Sequence, residues 1–337
     1  MKTLFKSLNS FDNDEEDLQG IYCKYYDIND LHSNIVRKGK SSLLHLNIAS
    51  LGAHKEEFED MLSILELNLD FLGLSETRII KDRPPIYDTS IDGYTEYHTP
   101  TESTKGGTAL YINNKFSSKT RKDIEKMLYV PKILESTFAE IIIKGKKNIV
   151  IGCIYKHPPM DIDEFNALFE KAIEKVSSEN KEVYILGDFN IDLLKVDDQC
   201  KIDDFYNILC THFLVPHITL PTRITSGSAT LIDNIFSNNL DISGAVSGNL
   251  TVSISDHLPQ FLIVPKADNK IPKKQNVFKR ETKFDKEGLV ADFIITDWDQ
   301  VLDIDRVDPV LSFDNFNTKA NEIIDTYLPL KNYLEKN

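Results

Sequence analysis

Asp188 and Asn190 stand two positions apart in the stretch YILGDFNIDLL, directly after apolar residues that predict a buried strand. Gly-Asp-x-Asn is also ordinary turn chemistry, because glycine tolerates unusual backbone angles and Asp or Asn side chains accept hydrogen bonds from nearby amides. An acid and an amide at one strand end form a reactive site only where other strand ends supply partners. The rest of the sequence decides between a turn and a site.

Polar or ionisable side chains do follow or interrupt several other apolar stretches: Asn47, Glu76, Tyr155, Asp233, Asp256 and His257. Asp233 is the least ordinary of them, since it lies among apolar residues in TLIDNIFS and a buried carboxylate needs a partner. A fold that gathers these strand ends at one mouth would build a polar, carboxylate-rich cleft.

Each type of side chain in this set has a chemical role available to it. Carboxylates with amides suit a hard divalent cation such as Mg²⁺, which prefers oxygen ligands. A histidine beside an aspartate can carry positive charge and face a phosphate. A separate aspartate can accept a proton from an attacking water. Together these groups indicate metal-assisted hydrolysis of a phosphate ester.

The elements that must position these groups mix strands with helices. Apolar runs predict strands over 43–48, 70–76, 107–112, 137–144, 148–156, 182–187, 230–237, 244–255 and 260–265. Helical spacing of apolar residues appears over 54–67, 161–178 and 205–214, and two further amphipathic segments follow residue 282. This mixture predicts an α/β or α+β arrangement in which helices cover β-sheets.

Composition indicates a folded intracellular protein. The 337 residues are 41% hydrophobic and contain no apolar run near the roughly 18 residues that a spanning helix needs. The amino terminus is too polar for a secretory segment, and four scattered cysteines fit neither a zinc site nor a disulfide framework. A net charge of -14 disfavours tight binding to nucleic acid. A basic run over residues 266–283 is the one hint of the opposite.

In their order along the chain, the motifs HLNI, LSET, IYKHP, GDFN, LIDNIF and SDH resemble those of the endonuclease/exonuclease/phosphatase superfamily. The resemblance spans residues 41–265. It implies a four-layer αββα sandwich of two mixed β-sheets flanked by helices, with the active site at one end of the sandwich.

Longer stretches are similar to one branch of that superfamily. HLNIASL, KGGTALYI and PTRITSGSATLIDNIFSN resemble the abasic-endonuclease-like domain of LINE-type non-LTR retrotransposons. The implied organisation is a polar extension over 1–40, the endonuclease domain over 41–265, and a basic linker and helical segment over 266–337 that leads toward a reverse transcriptase. The implied activity is Mg²⁺-dependent nicking of one strand of target DNA in the nucleus, which leaves a 3′-hydroxyl for target-primed reverse transcription. Mn²⁺ is expected to substitute for Mg²⁺.

The resemblance implies which residues bind the metal and the DNA. The metal ligands would be Glu76, Asn47 and Asp256. The DNA contacts would be Thr222, Arg223 and Thr230.

The resemblance also implies the catalytic roles. Asp188 would orient or deprotonate the attacking water, and Asn190 would hold the scissile phosphate. His257, oriented by Asp233, would stabilise charge on the phosphate in the transition state. Tyr155 would contribute a hydroxyl at the phosphate or the leaving group.

Two departures from the family pattern limit these expectations. Ala49 stands where abasic-site endonucleases carry an aspartate and many retrotransposon relatives an arginine, which argues against a second metal and a repair function. The stretch 222–233 is short, which argues against strict sequence specificity. Two alternatives stay open: a phosphodiesterase or phosphatase acting on inositol phosphates, lipids or RNA, and a catalytically silent fragment that binds DNA or a partner.

Overall fold

The computed structural model describes residues 23–28, 40–65, 69–239, 245–265, 276–280, 285–302 and 309–334. The chain divides into two compact units, and the division falls between Lys266 and Ala267. Within the described ranges, no helix combines the length and the apolar character that crossing a membrane requires.

Two mixed β-sheets form the centre of the first unit. The strands, numbered in chain order, are β1 (Cys23–Tyr26), β2 (Lys40–Asn47), β3 (Phe71–Ser75), β4 (Tyr94–Thr99), β5 (Thr108–Asn113), β6 (Ser117–Thr120), β7 (Leu134–Ile142), β8 (Ile149–Lys156), β9 (Glu182–Asp188), β10 (Val215–Pro216), β11 (Arg223–Ile224), β12 (Ala229–Thr230), β13 (Asp233–Ser237), β14 (Val246–Leu250) and β15 (Gln260–Pro265). One sheet has the order β1-β14-β15-β2-β3-β5-β4, and the other has the order β10-β13-β9-β8-β7-β6. Strands β11 and β12 form a separate hairpin.

Helices cover the outer face of each sheet. They are α1 (Leu51–Leu65), the short α2 (Lys122–Glu125), α3 (Ile162–Ser178) and α4 (Cys200–Thr211), with a 3-10 turn at Leu193–Lys195. Helix α3 begins where the Asp161 side chain accepts a hydrogen bond from the amide of Asp163, which satisfies one of the free donors at the helix start. Its buried residues recur at helical spacing, so one face of the helix packs on the sheet.

Three hydrophobic clusters define the four layers. Residues of α1 pack against the outer face of the seven-stranded sheet, and residues of α3 and α4 pack against the outer face of the six-stranded sheet. A third cluster joins the inner faces of the two sheets. Along β9, Val183 and Ile185 face the helices, whereas Tyr184 and Leu186 face the other sheet. Because both faces of β9 are buried, its sequence is a continuous run of apolar residues instead of an alternation of apolar and polar ones.

The predicted four-layer αββα sandwich of two mixed sheets is therefore confirmed. The predicted stretch 230–237 is interrupted, since β12 and β13 belong to different sheets. The sequence places residues 1–40 in a polar extension, but Cys23–Tyr26 pairs in parallel with β14 and adds an edge strand to the seven-stranded sheet. The predicted boundaries at residues 41 and 265 stay a prediction.

The second unit contains a two-stranded antiparallel sheet and three helices. These are β16 (Asn276–Arg280), β17 (Leu330–Leu334), α5 (Lys286–Ile295), α6 (Trp298–Leu302) and α7 (Pro309–Tyr327). The Trp298 ring contacts the rings of Phe293 and Phe316 and joins the helices. Apart from β16, the basic run over residues 266–283 lies outside the described residues.

Phe189 anchors the turn that follows β9. Its ring, 2% exposed, contacts four other phenylalanines, and the shortest centroid distance is 4.9 Å, to Phe236. The others are Phe165, Phe169 and Phe205. Because Phe189 lies between Asp188 and Asn190, burial of its ring fixes the backbone that carries both polar side chains.

Replacing Phe189 with alanine should lower the free energy of unfolding by about 3–5 kcal/mol, because a large buried ring is lost and a cavity remains. Urea denaturation followed by circular dichroism measures this loss. Phe213→Ala is the matched control, since Phe213 is 67% exposed, and its effect should stay within about 0.5 kcal/mol. Equal losses in the two variants would contradict the anchoring role of Phe189.

Candidate active site

The β-ladders bring the predicted polar residues to one edge of the sandwich. Asn47, at the end of β2, lies opposite Ser75, which precedes Glu76. In the other sheet, Asp188 lies opposite Tyr155 on one side and Asp233 on the other. Since the two sheets pack face to face, both sets of strand ends border the same cleft.

Glu76 is surrounded by hydrogen-bond donors. Tyr155 donates its hydroxyl to Oε1 at 2.8 Å, Asn47 donates Nδ2 to the same oxygen at 3.3 Å, and Arg78 donates Nη2 to Oε2 at 3.1 Å. Burial alone would raise the pKa of Glu76, but these donors outweigh it and lower the pKa. Glu76 is therefore an ionised carboxylate at neutral pH.

Asp188 is fully buried beside a second carboxylate. Asn47 Nδ2 donates to its Oδ2 at 2.8 Å, and the backbone amide of Asn190 donates to its Oδ1 at 3.0 Å. Burial and the nearby charge of Asp233 outweigh these donors and raise the pKa of Asp188 to about 7. The group can therefore gain or lose a proton near neutral pH, as a general base must.

His257 and Asp233 form a buried pair. His257 Nδ1 lies 2.8 Å from Asp233 Oδ2, and the same oxygen accepts a 2.6 Å hydrogen bond from the Thr222 hydroxyl. Burial alone would lower the pKa of His257, but Asp233, through its charge and its hydrogen bond, outweighs burial and raises the pKa to about 9, with help from Asp188 and Asp256. His257 is therefore a cation at neutral pH, with Nδ1–H donated to Asp233.

Strained backbone accompanies these side chains. Ala49, Glu76, Arg78 and Asn190 have positive φ angles of 51°, 50°, 55° and 47°. Non-glycine residues rarely adopt this region, and such strain concentrates at functional sites. Glu76 directly follows β3, and the other three stand two or three positions after the end of β2, β3 or β9.

The β11–β12 hairpin contacts the segment that carries His257. Arg223 donates Nε and Nη2 to Asp256 Oδ2 at 2.8 Å and 2.6 Å. Burial would raise the pKa of Asp256, but the hydrogen bond from Arg223 and the charge of His257 outweigh it and lower the pKa. The predicted metal ligand Asp256 and the predicted DNA contact Arg223 are thus bound to each other.

The other two predicted DNA contacts lie away from the cleft surface. Thr222 is 0% exposed because its hydroxyl donates to Asp233, so the structure gives it a supporting position instead of a surface for DNA. Thr230 lies opposite Arg223 in the hairpin, and its carbonyl accepts from the Thr222 amide.

The cleft has a volume of about 480 Å³. Predicted residues that line it are Glu76, Tyr155, Asp188, Asn190, Arg223, Asp256 and His257. Asn47 and Asp233 act through these residues by hydrogen bonds. Three cationic or ionisable side chains that were not predicted from the sequence also line the cleft: Arg78, Lys105 and His157. Arg78 and His157 could have been predicted from their positions along the chain, since each stands two residues after a predicted site residue.

Glu76 is well suited to hold a divalent cation. It offers carboxylate oxygens, and the Arg78 side chain now paired with Oε2 is 37% exposed, so a cation can displace it. Asn47 Nδ2 links Glu76 to Asp188 and so gathers two carboxylates, the oxygen ligands that Mg²⁺ prefers. The Asn47 oxygen, Oδ1, accepts a 3.1 Å hydrogen bond from the Ala49 amide and would have to exchange it to bind a metal. Asp188, Asp233 and His257 also lie within 4.8 Å of one another. In that cluster, however, Asp233 Oδ2 and His257 Nδ1 already bind each other, while Asp233 Oδ1 is buried without a hydrogen-bond partner.

Residues 44–257 match the model of the Endonuclease/Exonuclease/phosphatase family. The chain belongs to this family. Comparison with curated protein sequences finds no match. The family assignment therefore combines the sequence match with the sandwich fold and the cleft.

Solved structures of low sequence identity share the family fold. The endonuclease domain of TRAS1, a telomere-specific non-LTR retrotransposon, is 13% identical, with a TM-score of 0.51 over 67% of this chain and 98% of that one. The abasic-site endonuclease LMAP from Leishmania major is 13% identical, with a TM-score of 0.54 over 69% and 90%. The 3′-5′ exonuclease NExo from Neisseria meningitidis is 14% identical, with a TM-score of 0.53 over 66% and 99%. At these identities the likeness shows the fold alone.

Asp233→Asn should lower the pKa of His257 from about 9 toward its ordinary value of 6.5, because burial then acts without the opposing charge. An NMR titration of the histidine ring protons without divalent ions measures the change. Asp197→Asn, at an exposed position outside the cleft, should leave the His257 titration unchanged. An unchanged titration in Asp233→Asn would refute the assigned cause.

Asp233→Asn should also change how the free energy of unfolding depends on pH. A histidine whose pKa is raised in the folded state stabilises the protein fully below pH 6.5, and this contribution is lost as the pH rises through about 9. The stability difference between wild type and Asp233→Asn should therefore shrink across that interval. Denaturant titrations at pH 6, 7.5 and 9 test the sign; a difference that grows with pH would contradict it.

Proposed function

We propose that this chain is a Mg²⁺-dependent DNA endonuclease that nicks one strand of target DNA and leaves a 3′-hydroxyl for target-primed reverse transcription by a non-LTR retrotransposon. The observation that carries the proposal is the convergence of three groups on one cleft: Asp188, which titrates near neutrality, the cationic His257, and the ionised Glu76. The order of the sequence motifs and the fold shared with the TRAS1 endonuclease domain support the choice of DNA.

Asp188 would accept the proton of the attacking water. Its pKa of about 7 leaves a large fraction ionised at neutral pH while keeping the group basic enough to take a proton. Asn190 donates one N–H of its amide to the Lys156 carbonyl at 2.8 Å. The second N–H would hold an oxygen of the scissile phosphate.

His257 and Tyr155 would stabilise negative charge that develops on the phosphate and the leaving oxygen. Asp233 keeps the imidazole of His257 charged and fixes its orientation. Burial and the charge of Glu76 raise the pKa of Tyr155, so the phenol keeps its proton and remains a donor. His257 is held in place by Asp233 before substrate arrives, which limits reorganisation during the reaction. The Tyr155 hydroxyl, which donates to Glu76 Oε1 in the free protein, would turn to the phosphate or the leaving oxygen.

Glu76, Asn47 and Asp256 would hold the metal ion. Bound Mg²⁺ would supply a Lewis acid that polarises the phosphate, and Mn²⁺ would substitute for it. Glu76 is the principal ligand in this proposal because its Oε2 would need to release Arg78, while Oε1 keeps its hydrogen bonds from Tyr155 and Asn47. Asp256 would contribute after it separates from Arg223.

DNA would approach across the β11–β12 hairpin. Arg223 is partly exposed, with 43% of its side chain accessible, and once released from Asp256 it would contact a phosphate of the strand. Thr230 would contribute from the paired strand. A reverse transcriptase would extend the 3′-hydroxyl, and we place the reaction in the nucleus, where target DNA is found.

Incubation of the full chain with supercoiled plasmid and Mg²⁺ should convert the plasmid to its nicked form. Asp188→Ala and His257→Ala should each reduce the rate by about 10²–10⁴-fold, because each removes a group that moves a proton or stabilises transition-state charge. Asp197→Ala and His212→Ala are the matched controls outside the cleft and should nick at the wild-type rate. Gel electrophoresis quantifies the nicked form.

The alternatives give different results in the same experiment. Hydrolysis of an inositol phosphate, a phospholipid or RNA without plasmid nicking would replace the DNA endonuclease with another phosphoesterase of the family. DNA binding with no hydrolysis of any of these substrates would identify a catalytically silent binding module.

A further inference from the structure

One wall of the cleft is not used by the proposed mechanism. It is formed by Lys105, in the loop between β4 and β5, and by His157, in the turn after β8. Both residues line the same cleft as Asp188 and His257. The chain has a net charge of -14, so two basic side chains on one wall of the cleft are unusual, and they would favour binding of an anion there.

His157 is held by a buried carboxylate. Its Nε2 lies 2.8 Å from Oε2 of Glu135, and Glu135, which lies on β7 opposite Tyr155, is 0% exposed. The other oxygen of Glu135 accepts a 2.7 Å hydrogen bond from Thr101 Oγ1. The His157 ring also makes an edge contact with the Tyr155 ring, at a centroid distance of 4.6 Å. These contacts fix the position of the imidazole.

The loop that carries Lys105 packs directly against this pair. Gly106 has a φ of +103°, and a Cβ atom there would lie 2.6 Å from His157 Nε2 and 2.7 Å from Glu135 Oε2. Only glycine allows this approach. Because Thr101 donates to Glu135, the beginning of the same loop is fixed to the buried carboxylate. The backbone at Lys105, next to Gly106, is therefore held near His157, and the Lys105 side chain lines the cleft.

The cleft therefore has two carboxylate–histidine pairs. In the pair of Asp233 and His257, the ring uses Nδ1 for the carboxylate. In the pair of Glu135 and His157, the ring uses Nε2, so Nδ1 is the nitrogen left for a ligand. The protonated form of an imidazole has two N–H donors, and in that form it can direct one toward a buried carboxylate and the other toward a bound anion.

We propose that His157 and Lys105 form a subsite for a second phosphate of the nucleic-acid strand, next to the phosphate that is cut. This inference rests on the proposed function. A second phosphate subsite would make the enzyme prefer a strand with consecutive phosphates over a single phosphate ester. Glu135 is a positioning residue in this arrangement, because it acts only through His157.

The test combines protein variants with a substrate that lacks one charge. Once the nick produced by the wild-type full chain is mapped, each neighbouring phosphate in a duplex oligonucleotide is replaced in turn by an uncharged methylphosphonate. One of these replacements should lower kcat/KM of the wild type by about tenfold, as expected for loss of hydrogen bonds to a charged group. In His157→Gln and Lys105→Ala, the same replacement should change kcat/KM by less than about threefold, since the contact is already weakened.

Matched controls come from elsewhere in the chain. His98 pairs with Glu96 at 3.0 Å and Lys146 is exposed on a turn; neither lines the cleft. His98→Gln and Lys146→Ala should keep the full tenfold sensitivity. Thermal melting confirms that each variant is folded, and if His157→Gln unfolds, the surface variant Lys105→Ala decides the outcome.

Failure of the subsite and failure of the proposed function give different results. If the wild type nicks DNA but His157→Gln and Lys105→Ala keep the wild-type sensitivity to methylphosphonate, the subsite is overturned and the endonuclease proposal stands. If no DNA is nicked, the endonuclease proposal fails. Fluorescence anisotropy of a labelled oligonucleotide in EDTA then decides the subsite: about tenfold weaker binding by both variants supports it, and wild-type affinity overturns it.

Discussion

The arrangement of the cleft depends on two buried carboxylates that lie opposite each other. Asp188 and Asp233 pair across β9 and β13, and both are almost completely inaccessible. Burying an ion costs several kcal/mol unless partners compensate, and two negative charges side by side add repulsion. The surrounding polar residues supply that compensation: His257 and Thr222 bond to Asp233, and Asn47 and the Asn190 amide bond to Asp188.

The cost of burial is compensated more fully for Asp233 than for Asp188, so the two carboxyl groups have different pKa values. A cationic histidine at hydrogen-bonding distance lowers the pKa of Asp233 even though burial opposes it. For Asp188, burial and the charge of Asp233 outweigh the charge of His257 and the hydrogen bonds from neutral donors, so its pKa is raised to about 7. When the environments of two titratable groups push their pKa values apart, their roles separate. In the proposed mechanism Asp188 is therefore the group that exchanges a proton, whereas Asp233 raises the pKa of His257.

The scaffold holds these groups through packing on the opposite side of the same backbone. The aromatic cluster buries Phe189, so the residues on either side of it turn toward the cleft. Gly187, just before Asp188, cannot carry a side chain, because a Cβ atom there would lie 2.1 Å from the Ile154 carbonyl oxygen. This close approach of β8 and β9 keeps Tyr155 opposite Asp188. Local strain after β2, β3 and β9 is thus held in place by the core of the sandwich.

Apart from the edge strands β1, β4, β6 and β10, the sequence by itself determined the strands of the two sheets, the residues at their ends and the family, because these follow from local periodicity and from the order of short motifs. It did not determine which of those residues would meet. Asn47 and Asp188 are 141 positions apart, and only the packing of one sheet on the other makes them neighbours. Tertiary structure also decided that Thr222 supports Asp233, that Arg223 pairs with Asp256, and that His157 binds Glu135. A pKa near 7 for Asp188 is likewise a tertiary property, since it arises from burial and from a charge that spacing along the chain does not reveal.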